Sequence, residues 1–325
     1  MQLKQALNRL PVRFDAETLA AEVRALPTEA WVPHPQKFEG NEYVPLISPG
    51  GQMTNEFAGP MAATLYLARC PYVMEVMAAL DCVWGRSRLM GLGPGQSVPE
   101  HIDINYYWRT HVRVHVPIIT NPDVAFTCGG ETVTMAPGEC WLLDTFQSHE
   151  VHNRGSEQRI HLVLDTVGGE RLWDALEATQ SGGAQECHYL APGTLTGAPI
   201  RVEHINYPAI MSPWEMRTHF DYLLDQAQEA PQLELVRKRL DRLLAGWTAV
   251  WAEHGDGMAG LPSYRDLVIR AQHDLDRIGG HAIMLANKRS LYRVLQGFIF
   301  ENAVESDRVR ESKAKALGSE QRLAS

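Results

Sequence analysis

The sequence predicts an α+β chain: a β-barrel-like core with helices before it and a helical region after it. Three observations along the chain carry this prediction. Up to about residue 82, helical spacing alternates with Pro/Gly-rich text. From about residue 83, short β-rich segments follow one another between Gly/Pro turns, the pattern of a barrel or sandwich and not of a doubly wound sheet. After about residue 170 the text turns helical again.

The first helix is expected over residues 15–26, with Asp15 as its cap, Leu19, Val23 and Leu26 on one face, and Pro27 ending it. Residues 31–60 contain HPQ, SPGGQMTN and FAGP and are expected to be irregular, bordering a site. Pro71 opens a helix that runs through Leu80. Strands are expected at Arg113–Ile119, Val124–Thr127, Glu131–Met135, Cys140–Leu143 and Arg159–Asp165, separated by GPG, NPD, CGG and APG turns. Past the SGGAQ and APGTLTGAP stretches, Ser212-Pro213-Trp214-Glu215 reads as a helix start: a capping serine, proline in the first turn and a capping-box glutamate. Helical spacing continues through 233–252, 264–278 and 286–303, and the tryptophans at 214, 247 and 251 require burial somewhere. The expected division is therefore a barrel segment with N-terminal helices over 1–175, a helical region over 195–310, and a polar, frayed tail over 311–325.

The chain has 325 residues, enough for one large domain or two modest ones. Its formal charge of -9 argues against a protein whose main task is gripping nucleic acid or an anionic membrane. No apolar run is long enough to span a bilayer, and the N-terminus lacks the features of a signal peptide. Five scattered cysteines with no CxxC suggest neither a disulfide framework nor a thiolate zinc site, so a cytoplasmic location is expected.

The informative text is HIDINYYWRTHVRVHVPI (101–118) and GECWLLDTFQSHEVHNRGSEQRIHLVLD (138–165). His101 and Asp103 form an H-x-D pair, and residues two apart on an extended segment point to the same side. With a distant histidine they make a facial triad for a metal such as Fe(II), leaving positions open; His149 is the best candidate. A bound 2-oxoglutarate needs a partner for its far carboxylate, and Arg159, on an expected strand, supplies a two-pronged one. Arg113 and His115 share a face and are placed to contact the carboxylate beside the metal. His152 is read as a neighbour of the set and His161 as a pocket group, while Asp144 either orients a ligand or forms a turn.

These residues carry a resemblance. PGQSVPEHID (94–103), RVHVPI (113–118), GECWLLDTFQSHEV (138–151) and RIHLVLD (159–165) resemble the aspartyl/asparaginyl β-hydroxylase family of 2-oxoglutarate oxygenases, and look especially like its bacterial free-proline hydroxylase branch. The resemblance implies a double-stranded β-helix (jelly-roll, cupin-like) core, iron ligation by His101 and His149, and 2-oxoglutarate binding by Arg159 with Arg113 and His115 nearby. The vertebrate branch lacks the acidic ligand, whereas this chain has Asp103. A family serine that helps hold the far carboxylate aligns with Met90.

The implied reaction consumes molecular oxygen and 2-oxoglutarate, releases succinate and carbon dioxide, and hydroxylates an unactivated C–H bond of an amino acid, peptidyl or related small substrate. Two rivals stay open: a cupin-like metalloenzyme that does not use 2-oxoglutarate, and a non-catalytic small-molecule-binding barrel. Tyr106, Tyr107 and Trp108 in the 104–110 loop either cover the pocket or pack elsewhere, and residues 48–60 are a second candidate wall. The helical region is expected to cover the barrel or to form a homodimer contact.

Overall fold

The computed structural model describes residues 3–36, 38–181 and 186–323. Along the chain its strands are β1 (Leu7–Phe14), β2 (Val32–Pro33), β3 (Asn41–Pro49), β4 (Met61–Ala63), β5 (Val83–Leu92), β6 (Ser97–His101) and β7 (Val112–Ile119). They continue as β8 (Val124–Cys128), β9 (Glu131–Val133), β10 (Glu139–Leu143), β11 (His149–Asn153), β12 (Arg159–Gly168), β13 (His188–Leu190) and β14 (Arg201–Val202). The larger sheet runs β13-β1-β10-β7-β12-β5-β3-β2, with β4 on β3 and β14 on β5, and the smaller runs β6-β11-β8-β9. Leu7, Leu92 and Leu143 from the larger sheet pack with Phe126, Cys128 and Val151 from the smaller in one core. The fold is a double-stranded β-helix with flanking helices.

Local signals place several elements where the sequence puts them. Helix α1 spans Ala16–Arg24, with the Asp15 carboxylate accepting from the Thr18 amide at 2.8 Å and Leu19 and Val23 buried. Helix α2 spans Pro71–Leu80. An unexpected helix, α3 (Glu170–Gln180), follows β12. Helix α4 spans Pro213–Asp225, and Ser212 accepts from the Glu215 amide at 3.2 Å. Helices α5 (Leu233–His254), α6 (Leu261–Ile278) and α7 (Leu291–Leu295, continued by a π-turn over Gln296–Phe300) follow the expected spacing. Helix α8 spans Asp307–Leu323. Among the described residues no helix is long and apolar enough to cross a membrane. Of the SGGAQ stretch, residues 182–185 lie outside the described residues.

The segment expected to be irregular, 31–60, contains β3, which lies between β5 and β2. Pro45 conceals it in the sequence but sits where the β3–β5 register shifts, a place where a strand accommodates proline.

The chain divides into two compact units. One comprises Met1–Asp103, Thr110–Asn206 and Glu311–Ser325; the other comprises Ile104–Arg109 and Tyr207–Arg310. In the helical unit, Trp247 is fully buried, donates to the Met211 carbonyl at 2.8 Å and packs on Tyr264. Trp214 is 70% exposed, contrary to expectation, because α4 buries the opposite face through Met216, Phe220 and Leu223. The rings of Tyr106, Tyr107 and Trp108 are buried. The Tyr106 hydroxyl donates to Glu215 and the Arg109 Nε to the His219 Nδ1, both within the helical unit.

Residues 311–323, expected to fray, are helical and belong to the barrel unit. The residue types explain this: Ser312 and Ala316 are small, one turn apart, and let α8 approach backbone closely. Ser312 Oγ donates to the Ala58 carbonyl at 2.6 Å, and Ala316 is fully buried against Gly50 and Gly59. A Cβ at Gly50 would lie 2.6 Å from the Ala316 Cα, at a φ of +59°. Gly50→Ala is therefore expected to destabilise the protein by about 2–3 kcal/mol through overpacking and left-handed backbone strain. Urea denaturation checks this, and an unchanged midpoint would contradict the close approach.

Candidate metal and cosubstrate site

Strand pairing brings the two candidate histidines together. His101 ends β6, His149 begins β11, and they are register partners with ring centroids 4.1 Å apart. Asp103 lies just past β6, its amide held by the Thr145 carbonyl at 3.1 Å. One ligand atom from each of His101, Asp103 and His149 lies within 4.8 Å of the other two. His101 Nδ1 donates to the Pro99 carbonyl at 2.8 Å, and His149 Nδ1 to the Gln147 carbonyl at 2.9 Å. Each bond fixes the tautomer that leaves Nε2 with a lone pair. The His149 Nε2 is buried without a hydrogen-bond partner, 4.0 Å from Asp103 Oδ2. Two imidazole lone pairs and a carboxylate, converging with an unsatisfied buried nitrogen, fit a divalent metal such as Fe(II).

The carboxylate is ready for such a role. Burial alone would raise the Asp103 carboxyl, but Arg113, His149 and His101 outweigh it and hold it below its ordinary value. Arg113 Nη1 lies 3.2 Å from Asp103 Oδ2, and its Nε donates to Asp165 Oδ1 at 3.0 Å. The other Asp165 oxygen is 3.4 Å from Arg86 Nε.

Strand β12 supplies the anionic side of the site. Arg159, His161, Val163 and Asp165 alternate along it, so they share one face. Arg159 pairs across β5 with Leu92 and His161 with Met90; on β7, His161 faces Pro117, Val163 faces His115 and Asp165 faces Arg113. Arg159 is 4% exposed, and its guanidinium donates to His161 Nδ1 at 2.6 Å. Among the described residues no acidic side chain pairs with it, and burial pushes its pKa down to about 9. A buried cation with only a neutral imidazole beside it calls for an anion from outside the chain. The His161 and His115 rings lie 5.7 Å apart, and His161 Nε2 and His115 Nδ1 are buried without partners.

Of the other sequence candidates, His152 pairs with Glu150 at 3.2 Å and is partly exposed, as expected three residues along a strand from His149. Asp144 forms the turn, accepting from the Phe146 amide at 3.0 Å and the Leu3 amide at 3.3 Å. Sequence reasoning missed Arg86, Arg88 and Asp165 as site residues. The signal was available: R-x-R in VWGRSRLMGL puts two arginines on one face of a strand.

Burial also keeps the histidines neutral. His34 and His149 are pushed down to about 4, and His115 and His161 are held well below 6.5. In the unfolded chain these histidines take up protons near pH 6.5 that the folded protein refuses, so stability falls as pH drops. The metal-free protein is expected to lose about 1.4 kcal/mol per pH unit for the deeply buried His149 as pH falls from about 6.5 towards 4, and less for the partly exposed His34, where solvent screens the effect. Urea titrations at a series of pH values test this; a flat profile over that window would contradict neutral burial.

Residues 61–168 match the family model described as Aspartyl/Asparaginyl beta-hydroxylase. All four residues of the candidate metal and anion site fall within that span. No curated protein matches the chain. Among solved structures, an oxidoreductase of the 2OG-Fe(II) oxygenase family from Burkholderia pseudomallei is similar at 15% identity, over 51% of this chain and 88% of that one, with a TM-score of 0.39. A Pseudomonas putida prolyl-4-hydroxylase is similar at 14% identity, over 50% and 92%, with a TM-score of 0.35. A cupin domain from Bordetella pertussis is similar at 18% identity, over 25% and 79%, with a TM-score of 0.21. Residues 61–168, less than half of the chain, are thus similar to the aspartyl/asparaginyl β-hydroxylase family.

Proposed function

We propose that this chain hydroxylates an unactivated C–H bond of an amino acid, peptidyl or related small substrate, with Fe(II) held by His101, Asp103 and His149 and 2-oxoglutarate held by Arg159. The observation that carries the reading is the pairing of a convergent His–Asp–His set with a buried guanidinium that, among the described residues, has no acidic partner. Iron and 2-oxoglutarate, when bound, supply the oxidative chemistry that yields succinate, carbon dioxide and a hydroxylated product.

The residues divide that work. His101 and His149 present Nε2 because carbonyl oxygens occupy their Nδ1 protons. Asp103 adds the negative charge, and Arg113 fixes its direction while Asp165 fixes Arg113. Arg159 offers a bidentate fork to the far carboxylate of 2-oxoglutarate, with His161 bracing the guanidinium from one side. His115, one pleat along from Arg113, is placed for the carboxylate nearer the metal. The resemblance to the free-proline hydroxylase branch favours a small amino-acid substrate. We take the barrel segment, 1–175, as the oxygenase domain and 195–310 as a helical accessory region.

The test is a screen of free amino acids and short peptides with Fe(II), 2-oxoglutarate and oxygen, read by succinate formation and product mass. A substrate that stimulates succinate release and gains one oxygen atom is the expected result. Conversion that proceeds without 2-oxoglutarate would favour a cupin-like enzyme instead, and no stimulation by any compound would speak for a binding barrel.

A further inference from the structure

The turn between β10 and β11, residues 144–148, holds none of the three candidate metal ligands, yet two of them lean on it. The Thr145 carbonyl accepts from the Asp103 amide at 3.1 Å. The Gln147 carbonyl accepts from His149 Nδ1 at 2.9 Å. One turn therefore sets both the backbone at the aspartate and the ring orientation of the histidine. Connecting segments are mobile unless they are tied down, so these two carbonyls stay in place only if the turn itself is fixed.

Asp144 fixes it. The Asp144 carbonyl accepts from the Gln147 amide at 3.1 Å, closing a β-turn. Its Oδ1 accepts from the Phe146 amide at 3.0 Å, closing an Asx-turn inside the first. Its own amide donates to the Ala6 carbonyl at 3.0 Å, next to the β1–β10 pair of Leu7 and Leu143. Its Oδ2 accepts from the Leu3 amide at 3.3 Å. The Cys128 thiol lies 3.6 Å from the Asp144 carbonyl and 3.8 Å from that of Ala6, on the same junction. Asparagine or serine would close the Asx-turn as well. Only a carboxylate offers two oxygens to two amides at once, and burying one is costly unless both are used. Asp144 is 1% exposed, and its two oxygens join the turn to the segment ahead of β1.

We propose that Asp144 is a positioning residue of the metal site: by tying the turn to residues 3–6 it sets the Thr145 and Gln147 carbonyls that orient Asp103 and His149. The segment ahead of β1 thereby becomes part of the scaffold of the site. The inference rests on the reading of His101, Asp103 and His149 as metal ligands, and it adds a residue that acts through two of them.

The test is Mn(II) binding to the full chain without oxygen, read by electron paramagnetic resonance, which measures free ions and reports the symmetry around bound ones. Wild type is expected to bind Mn(II). Asp144→Ala is expected to bind it about 10–100-fold more weakly, with a changed spectrum of the bound ion, and Asp144→Asn, which keeps one acceptor, to fall between. Leu3→Pro removes the amide donor, whereas Leu3→Ala trims the same side chain and keeps the donor. Leu3→Pro is expected to bind about threefold to tenfold more weakly than Leu3→Ala. Urea midpoints are measured alongside. A purely structural Asp144 would lower the midpoint and leave the affinity and spectrum of the folded protein unchanged, and that result overturns the proposal. If Asp144→Ala does not fold, the Leu3 pair decides, and equal affinities in the two overturn it. Wild type that binds no Mn(II) removes the ligand set and the proposal with it; wild-type binding with unmoved variants removes the role of Asp144 alone.

Discussion

Replacing Arg159 by alanine is expected to weaken 2-oxoglutarate binding by about two to four powers of ten and to leave metal binding nearly unchanged. The size follows from removing one partner of a buried charge pair, about 3–5 kcal/mol. The selectivity follows from the geometry: Arg159 contacts His161 and none of His101, Asp103 or His149. Arg159→Lys keeps the charge and loses the fork, so it should fall between. Separate anaerobic titrations with Fe(II) and 2-oxoglutarate check this. Unchanged 2-oxoglutarate affinity in Arg159→Ala would reject the clamp and make Arg113 or Arg88 the next candidate. Lost metal binding in a folded variant would mean that the arrangement around His149 is wrong.

The second large effect is on the metal. His101→Ala or His149→Ala removes one of two imidazole donors and is expected to abolish iron-dependent turnover with the fold retained. His149→Ala loses the Nδ1 bond to the Gln147 carbonyl but no protein partner at Nε2, so the fold should be retained at a cost of about 1 kcal/mol for that bond. Asp103→Ala should also be severely impaired, and it removes the 3.2 Å ion pair to Arg113 while leaving the one between Arg113 and Asp165. Metal affinity by anaerobic titration, with circular dichroism as the control for folding, separates loss of the site from loss of structure. Full activity with iron retained in either histidine variant would sink the assignment.

The parts of this site that could be read from the sequence were those set by short-range geometry. H-x-D needs only the two-residue period of an extended chain. Arg159 falls on an expected strand, β12, whereas β11, which carries His149, was not among the expected strands. What was missed depends on longer-range pairing. Arg86 and Arg88 sit inside an apolar strand, and only its pairing with β3 and β12 reveals that their face points towards Tyr43 and Val163. Asp165 looked like a strand end and proves to be the shared anchor of Arg86 and Arg113. Strand β3 was concealed by Pro45, which composition marks as a breaker and the register shift accommodates. Helix α8 was concealed by its polar composition: its buried face consists of Ser312 and Ala316, which carry almost no hydrophobic signal.

The central claim is that one site holds iron and 2-oxoglutarate together. The most direct measurement is anaerobic addition of Fe(II) and then 2-oxoglutarate to the wild-type protein, watching for the weak visible charge-transfer absorption of the iron–2-oxoglutarate chelate. The account predicts that the band appears only when both are present, saturates at one equivalent of each per chain, and is absent in His149→Ala. It also predicts that Arg159→Ala forms the band only at far higher 2-oxoglutarate. Tight Fe(II) binding with no band at any 2-oxoglutarate concentration would contradict it.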